Sequence, residues 1–451
     1  MPPHLDGQFL SLAWSIPFIG ILLSISLCPL LTPIFWHNHY GKITLLWTLL
    51  FLVPFSVCYG VSLAAFEICH VTLIDYFPFV VLMTSLYTVA GGIRITGKLI
   101  GTPRVNTFIL GLGTLLAGFM GTTGASMLLI RPLLRANQNR QKNAHVVVFF
   151  IFLVANIGGS LTPLGDPPLF LGFLHGVDFF WTLPHLGPLM LFTSGLLLLL
   201  FYIIDSILYR QDQKNTRGLC VENVAQNRLG VEGAINLVFL IIIVLCIFIS
   251  GVWKTNIFWT LYHVPVTFES LLCNFALVVI VFLSLSFTDS QSREDNGFTW
   301  KPIIEVSKLF LGIFITIIPA IAILRSGADG ALNTVLSMIT DAQGRSIPAM
   351  YFWVSGVLSS VLDNAPTYLV FFNIAGGNAD DLTRNMPSVL LAISAGSVFM
   401  GANTYIGNAP NFMVKAIAEE QDIEMPSFFG YMLWSTSILI PLFALVTLFF
   451  F

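Results

Sequence analysis

Two carboxylates, Asp166 and Asp363, stand inside apolar stretches of the chain, each among side chains rich in neutral oxygen. Thr122, Thr123, Asn156 and Thr162 accompany the first; Asn364, Thr367, Asn403, Thr404, Asn408 and Asn411 accompany the second. Hydroxyls, amides, backbone carbonyls and one or two carboxylates suit a small hard cation such as sodium. The same acids can bind a proton instead, because burial disfavours a charged carboxylate. A group that takes either a proton or sodium, but not both, is the minimum machinery of exchange, so Asp166 and Asp363 are the candidate cation sites. The plainer alternative is that each caps the N-terminus of a half-helix, where the dipole favours negative charge.

The segments carrying these residues are interrupted helices. At 156 the chain reads NIGGSLTPLGDPPL, and at 400 it reads MGANTYIGNAPN. A shift of 242 places Gly159 on Gly401, Thr162 on Thr404, Gly165 on Gly407, Asp166 on Asn408 and Pro168 on Pro410. Two other apolar segments, roughly 105–135 and 347–376, are broken by GTTGAS at 121–126 and LDNAPT at 362–367; a shift of 241 sets Thr123–Ser126 against Asn364–Thr367. Nearly equal shifts at two places predict two repeats, each a broken hairpin followed by a broken helix. Non-helical backbone at membrane depth is tolerated where it is buried in protein or lines a wet cavity.

Composition sets these segments in a membrane. The 451 residues are 56% hydrophobic and only 10% charged, against roughly 25% charged in soluble domains. Net charge is −3, with no basic stripe for nucleic acid. The six cysteines are scattered without metal-ligand spacing, and the eight histidines are likewise unpaired. Apolar runs of spanning length fall near 9–31, 43–65, 72–92, 145–174, 183–208, 232–252, 266–287, 303–324, 388–418 and 427–451. The first lacks the basic flank of a signal peptide and is expected to be a retained helix.

The expected architecture is an all-α polytopic membrane protein: about ten transmembrane helices plus two re-entrant hairpins, in two inverted repeats with broken helices at the midplane. Residues 1–208 form the first repeat, 209–231 a polar cytoplasmic linker, and 232–451 the second. Read this way, fourteen Lys and Arg residues fall in loops on one side, including Arg94, Lys98 and Arg135, and only Lys254, Arg325, Arg345 and Arg384 on the other. That bias predicts an external amino terminus, with the first hairpin entering from the cytoplasm and the second from outside. Asp75 and Asp205 are expected near helix ends at the interface, and Glu67 in a solvated loop.

From GGIRITG at 91 to IGNAPN at 406, the chain resembles the ion transporter superfamily, which includes arsenite, dicarboxylate and citrate carriers and the D-type bacterial sodium/proton antiporters. NIGGSLTPLGDPP and SSVLDNAP are similar to the antiporters, which carry an Asp in the first broken helix and in the second hairpin. The first tip departs from them: where they usually have Asp-Asn, this chain has Thr122, Thr123, Gly124, Ala125 and Ser126. A neutral tip is more like the anion carriers. The resemblance therefore implies a secondary transporter in a bacterial inner membrane, with sodium or protons as coupling ion, no other cofactor, and a dimeric assembly. Sodium/proton antiport is the leading expectation, and sodium- or proton-coupled citrate or dicarboxylate transport the alternative. An enzyme would need a motif such as HExxH or GxSxG, and neither is present. A passive channel is less consistent with repeated broken helices.

Overall fold

Proline and glycine decide where the first helices begin and turn. Helix α1 (Ile16–Leu31) stops before Pro33, which opens α2 (Pro33–Tyr59); proline suits a first helical position because no N–H is needed there. Gly60, at φ +90°, turns the chain. Helix α3 (Val61–Val71) then runs through a single π turn at Thr72–Tyr76 into α4 (Phe77–Gly91). The expected spans 43–65 and 72–92 are thus displaced. The break falls at Gly60, whose left-handed φ glycine adopts without penalty, and the polar residues around Glu67 lie within a helix. This computed structural model describes residues 5–97, 99–215, 230–326, 339–341, 343 and 345–451.

Among the described residues, seven helices are long and apolar enough to cross a membrane, or eight if α13 (Lys301–Thr316) and α14 (Ile318–Arg325), bent by 42°, form one span. Alongside α1, α2 and α3–α4 these include α9 (Thr182–Asn215), α10 (Ile235–Val252), α11 (Phe268–Phe287) and, at the carboxyl end, Phe428–Phe450. The shortfall from ten has a local cause. The stretches 145–174 and 388–418 are each divided in two, so neither half alone has spanning length. The outer faces of these helices expose Val57, Phe282, Leu433 and Leu448, as suits contact with lipid.

The interrupted elements are interior. The hairpin arms α5 (Pro103–Met120) and α6 (Thr122–Ala136) pack together around Gly121, at φ +79°. Helix α7 (Ala144–Leu153), with the sequence AHVVVFFIFL, is buried from His145 onward; a helix apolar on all sides belongs in a core. A 3-10 turn (Ile157–Ser160) follows, and then α8 (Pro167–Leu174). The second half has α15 (Pro348–Ser359) and α16 (Asn364–Ile374), a short surface helix α17 (Ala379–Arg384), the buried α18 (Pro387–Phe399), a 3-10 turn (Met400–Asn403), and α19 (Ala409–Glu420) before α20 (Phe428–Phe450). Between α11 and α13 lies a short helix, α12 (Ser290–Asp295).

Two small ribbons interrupt the all-helical pattern. Strand β1 (Arg94–Thr96) pairs antiparallel with β2 (Gly230–Glu232), and β3 (Phe258–Leu261) with β4 (Val264–Thr267). Arg94 closes the first ribbon by pairing with Glu232 at 3.0 Å and Asp295 at 2.8 Å. Lys98 and most of the 209–231 linker lie outside the described residues, although α9 carries the start of that linker to Asn215 as helix.

Candidate functional site

The two broken helices reach the same local geometry from different sequences. Asp166 precedes α8 at φ −147°, ψ 143°, and Asn408 precedes α19 at φ −152°, ψ 137°. Thr162 donates its hydroxyl to the carbonyl of Gly118, and Thr404 donates to the carbonyl of Ser360 at 2.5 Å. Those acceptors are again 242 residues apart. A Cβ on Gly165 would collide with the Gly159 carbonyl, and one on Gly407 with the Gly401 carbonyl. Glycine is needed at both places because two backbone segments lie against each other. Thr162 and Thr404 therefore clamp each broken segment to its hairpin.

Asp166 is fully buried, at 0% exposure, and is not engaged in capping α8. Its Oδ1 accepts from the Thr122 hydroxyl at 3.1 Å, and its Oδ2 accepts from the Asn364 amide. Asn408 and Asp363 are further polar neighbours. Thr122 begins α6, Asn364 begins α16, and Asn408 immediately precedes α19. Four helix N-termini thus meet around one carboxylate, which places the positive ends of four dipoles there. Among the described residues, no lysine, arginine or histidine forms an ion pair with Asp166. Its partners are all neutral dipoles.

The halves are stitched together beside this point. The Asn156 amide donates to Asn411 Oδ1 at 2.7 Å and to the Ile151 carbonyl at 2.8 Å. Asn408 donates to the Ala155 carbonyl at 3.0 Å and to Asn156 Oδ1 at 3.2 Å. Asn411 in turn donates to the carbonyls of Gly401 and Thr404, both at 2.9 Å. Asn364 Oδ1 is buried without a hydrogen-bond partner, as is Asn403 Oδ1. Buried oxygens left unpaired are costly. The one on Asn364, beside the Asp166 carboxylate, is a donor suited to a bound cation.

The expected residues separate by role. Thr122, Asn156, Asp166, Asn364, Asn408 and Asn411 converge. Asp363 takes the capping role: its Oδ1 accepts from the Ala365 N–H at 3.2 Å. Thr367 donates back to the Asp363 carbonyl, and Asn403 to Ser360 Oγ at 2.9 Å. Thr123 is half-buried at the first tip.

Three acids depart from expectation. Asp205 is fully buried and carries its own partners: the Arg140 guanidinium at 2.6 Å, the His145 ring at 2.8 Å, and a hydrogen bond from Asn106 at 3.0 Å. Asp75 and Glu67 are also buried, because the unbroken run from Val61 to Gly91 puts them mid-helix. The sequence signal is an ionisable residue within an apolar run, and a charge in such a run marks the end of a span only when no partner or cavity receives it. Ser360, which ties Asn403 and the Met400 carbonyl to the second hairpin, gave no sequence signal beyond its place in SSVLDNAP.

A family model described as "Putative citrate transport" matches residues 7–451, nearly the whole chain. The chain belongs to that family. Among curated proteins none matches it. Membership and the apolar helices make the protein a multi-pass membrane transporter of the ion/citrate transporter kind. It favours the carboxylate alternative over sodium/proton antiport.

Proposed function

We propose that this protein is a secondary carrier for citrate or a closely related polycarboxylate, coupled to protons or sodium through Asp166. The observation that carries this reading is a buried carboxylate, without a cationic partner among the described residues, at the meeting point of four helix N-termini. Such a point attracts negative charge, and Asp166 occupies it permanently. A substrate carboxylate would be repelled unless a cation first neutralised Asp166, with Thr122 and the unpaired Asn364 oxygen as further ligands. Neutralisation would leave the four N-termini facing the substrate, so binding of cation and anion would be obligatorily linked. The neutral Thr122–Ser126 tip and the family match support the anion reading; the shared carboxylate alone would serve sodium/proton exchange equally well.

In this reading the matched geometry around Asp166 and Asn408 belongs to two inverted repeats, 1–208 and 232–451, joined by the cytoplasmic 209–231 segment. The divided stretches 145–174 and 388–418 complete ten crossings. Inverted-repeat carriers place their sites near the midplane where broken helices meet. A dimeric assembly in a bacterial inner membrane fits the resemblance.

The test is the purified protein in liposomes with an internal pH dye and labelled citrate, for wild type and Asp166→Asn. Citrate accumulation driven by a proton or sodium gradient, lost in the variant, is the expected result. Sodium-driven proton movement without citrate uptake would return the protein to antiport.

A further inference from the structure

A second polar region lies away from the four N-termini. A cavity of about 390 Å³ opens between the amino-terminal residues, α3, the end of α8 and α14. Its ionisable lining consists of Asp6, Glu67, His70, Asp75, His175 and Arg325. The proposed carrier mechanism uses none of these. Among the described residues, with both histidines neutral, the lining sums to three negative charges against one positive. An anion would meet net repulsion, so a cation fits better. Among the described residues, no three His, Cys, Asp or Glu side chains are grouped closely enough to hold a metal ion. The cation that a facing acid and imidazole bind directly is the proton.

The geometry of one pair makes this specific. His175 caps the C-terminal end of α8, and its Nδ1 is 2.9 Å from the Leu171 carbonyl. A carbonyl can only accept, so Nδ1 carries the hydrogen. In the neutral ring, Nε2 is then a bare acceptor. It faces Asp75 Oδ1 at 3.7 Å, and that oxygen has no hydrogen-bond partner although the residue is more than nine-tenths buried. Two acceptor lone pairs oppose each other unless a proton sits on one of them. A proton on Nε2 creates an ion pair, and the imidazolium also gains from the negative end of the α8 dipole. A proton on Asp75 creates a neutral donor facing Nε2.

We infer that Asp75 and His175 form a proton-binding pair, loaded through this cavity from the face that carries the amino terminus. Facing groups are Asp6 on the amino-terminal segment, Glu67 and His70 on α3, and Arg325 on α14; α13 and α16 contribute the apolar Phe314 and Leu369. Arg325 is partly engaged by Asn373, to which its Nε donates at 2.9 Å. The pair is distinct from Asp166, which stands at the opposite end of α8. Its part in transport rests on the coupled-carrier reading above; its binding of a proton does not.

The deciding experiment is a pH titration by NMR of the full-length protein in lipid nanodiscs, with 13C in the histidine rings and aspartate carboxyls. Each signal is assigned by its loss in His175→Gln or Asp75→Asn. The expected result is that the Asp75 carboxyl and His175 ring signals move together at one midpoint. In Asp75→Asn, the proton affinity of His175 should fall by about tenfold, the effect of removing one adjacent charge. Independent midpoints in the wild-type protein would overturn the inference. Labelled-citrate uptake from pH 5 to 8 is then compared between wild type and His175→Gln. A shifted pH profile with uptake retained ties the pair to coupling, and an identical profile removes it from the transport cycle. Absence of citrate uptake in the wild type would overturn the carrier reading alone, because the NMR titration does not depend on it.

Discussion

Asp166 and Asp205 are equally buried and differently kept. Asp205 faces Arg140 and His145 at ion-pair distance and accepts from Asn106, whose amide oxygen is in turn bonded by Asn137. Its charge is balanced within the protein. Asp166 is held by the neutral side chains of Thr122 and Asn364, with Asn408 beside them, at the positive ends of helices. On the proposed reading its balance comes from a coupling cation that arrives and leaves. A buried acid with a fixed partner is a structural clamp, and one held by neutral dipoles is a candidate for exchange. Burial alone would not have told them apart.

That contrast can be broken by substitution. The largest expected effect is from Asp166→Asn: coupled citrate uptake should fall to background while the thermal midpoint in detergent stays level or rises, because no cationic partner is stranded. Asp205→Asn should do the reverse. Arg140 would keep only the more distant Asp212, at 3.7 Å, as counter-charge, and losing its nearest partner costs up to about 3–5 kcal/mol, seen as a clear drop in thermal midpoint, while molecules that remain folded still take up citrate. Equal behaviour of the two variants in both assays would erase the distinction. Asn364→Ala sharpens it at the level of a supporting ligand, and uptake should fall by about 10–100-fold, the usual range for residues that orient a site. The smallest effect is expected from Asp363→Asn, since Asn serves as an N-cap nearly as well as Asp. Uptake near wild type would confirm capping, and loss as deep as in Asp166→Asn would make Asp363 a second cation ligand.

The broken elements were legible in the sequence because glycine, proline and asparagine rarely cluster in an apolar run without a local reason. The 242-residue offset anticipated that Asp166 and Asn408 would share a backbone conformation, and that Thr162 and Thr404 would play matching parts. What it could not supply was direction. Thr162, Thr404 and Thr367 have the right chemistry for ligands, yet each hydroxyl is taken by a backbone carbonyl. Hydroxyl donation is settled by side-chain rotation, which residue type does not encode. The acids at 67, 75 and 205 were misplaced for another reason. Hydropathy windows register a charge as a boundary, whereas a helix continues through it when a partner or a cavity receives the side chain. His145 and His175 show the same limit, since their acidic partners are 60 and 100 residues distant in the chain.

Helix α8 has eight residues, a rod about 12 Å long. Asp166 stands at one end and His175 at the other, so its length works as a phase setting as well as a spacer. One residue more or fewer would rotate the far end by about 100°, swinging the imidazole away from Asp75 while Asp166 kept its place. Composition within the helix can drift among apolar residues of similar volume, but its residue count is tied to both ends at once.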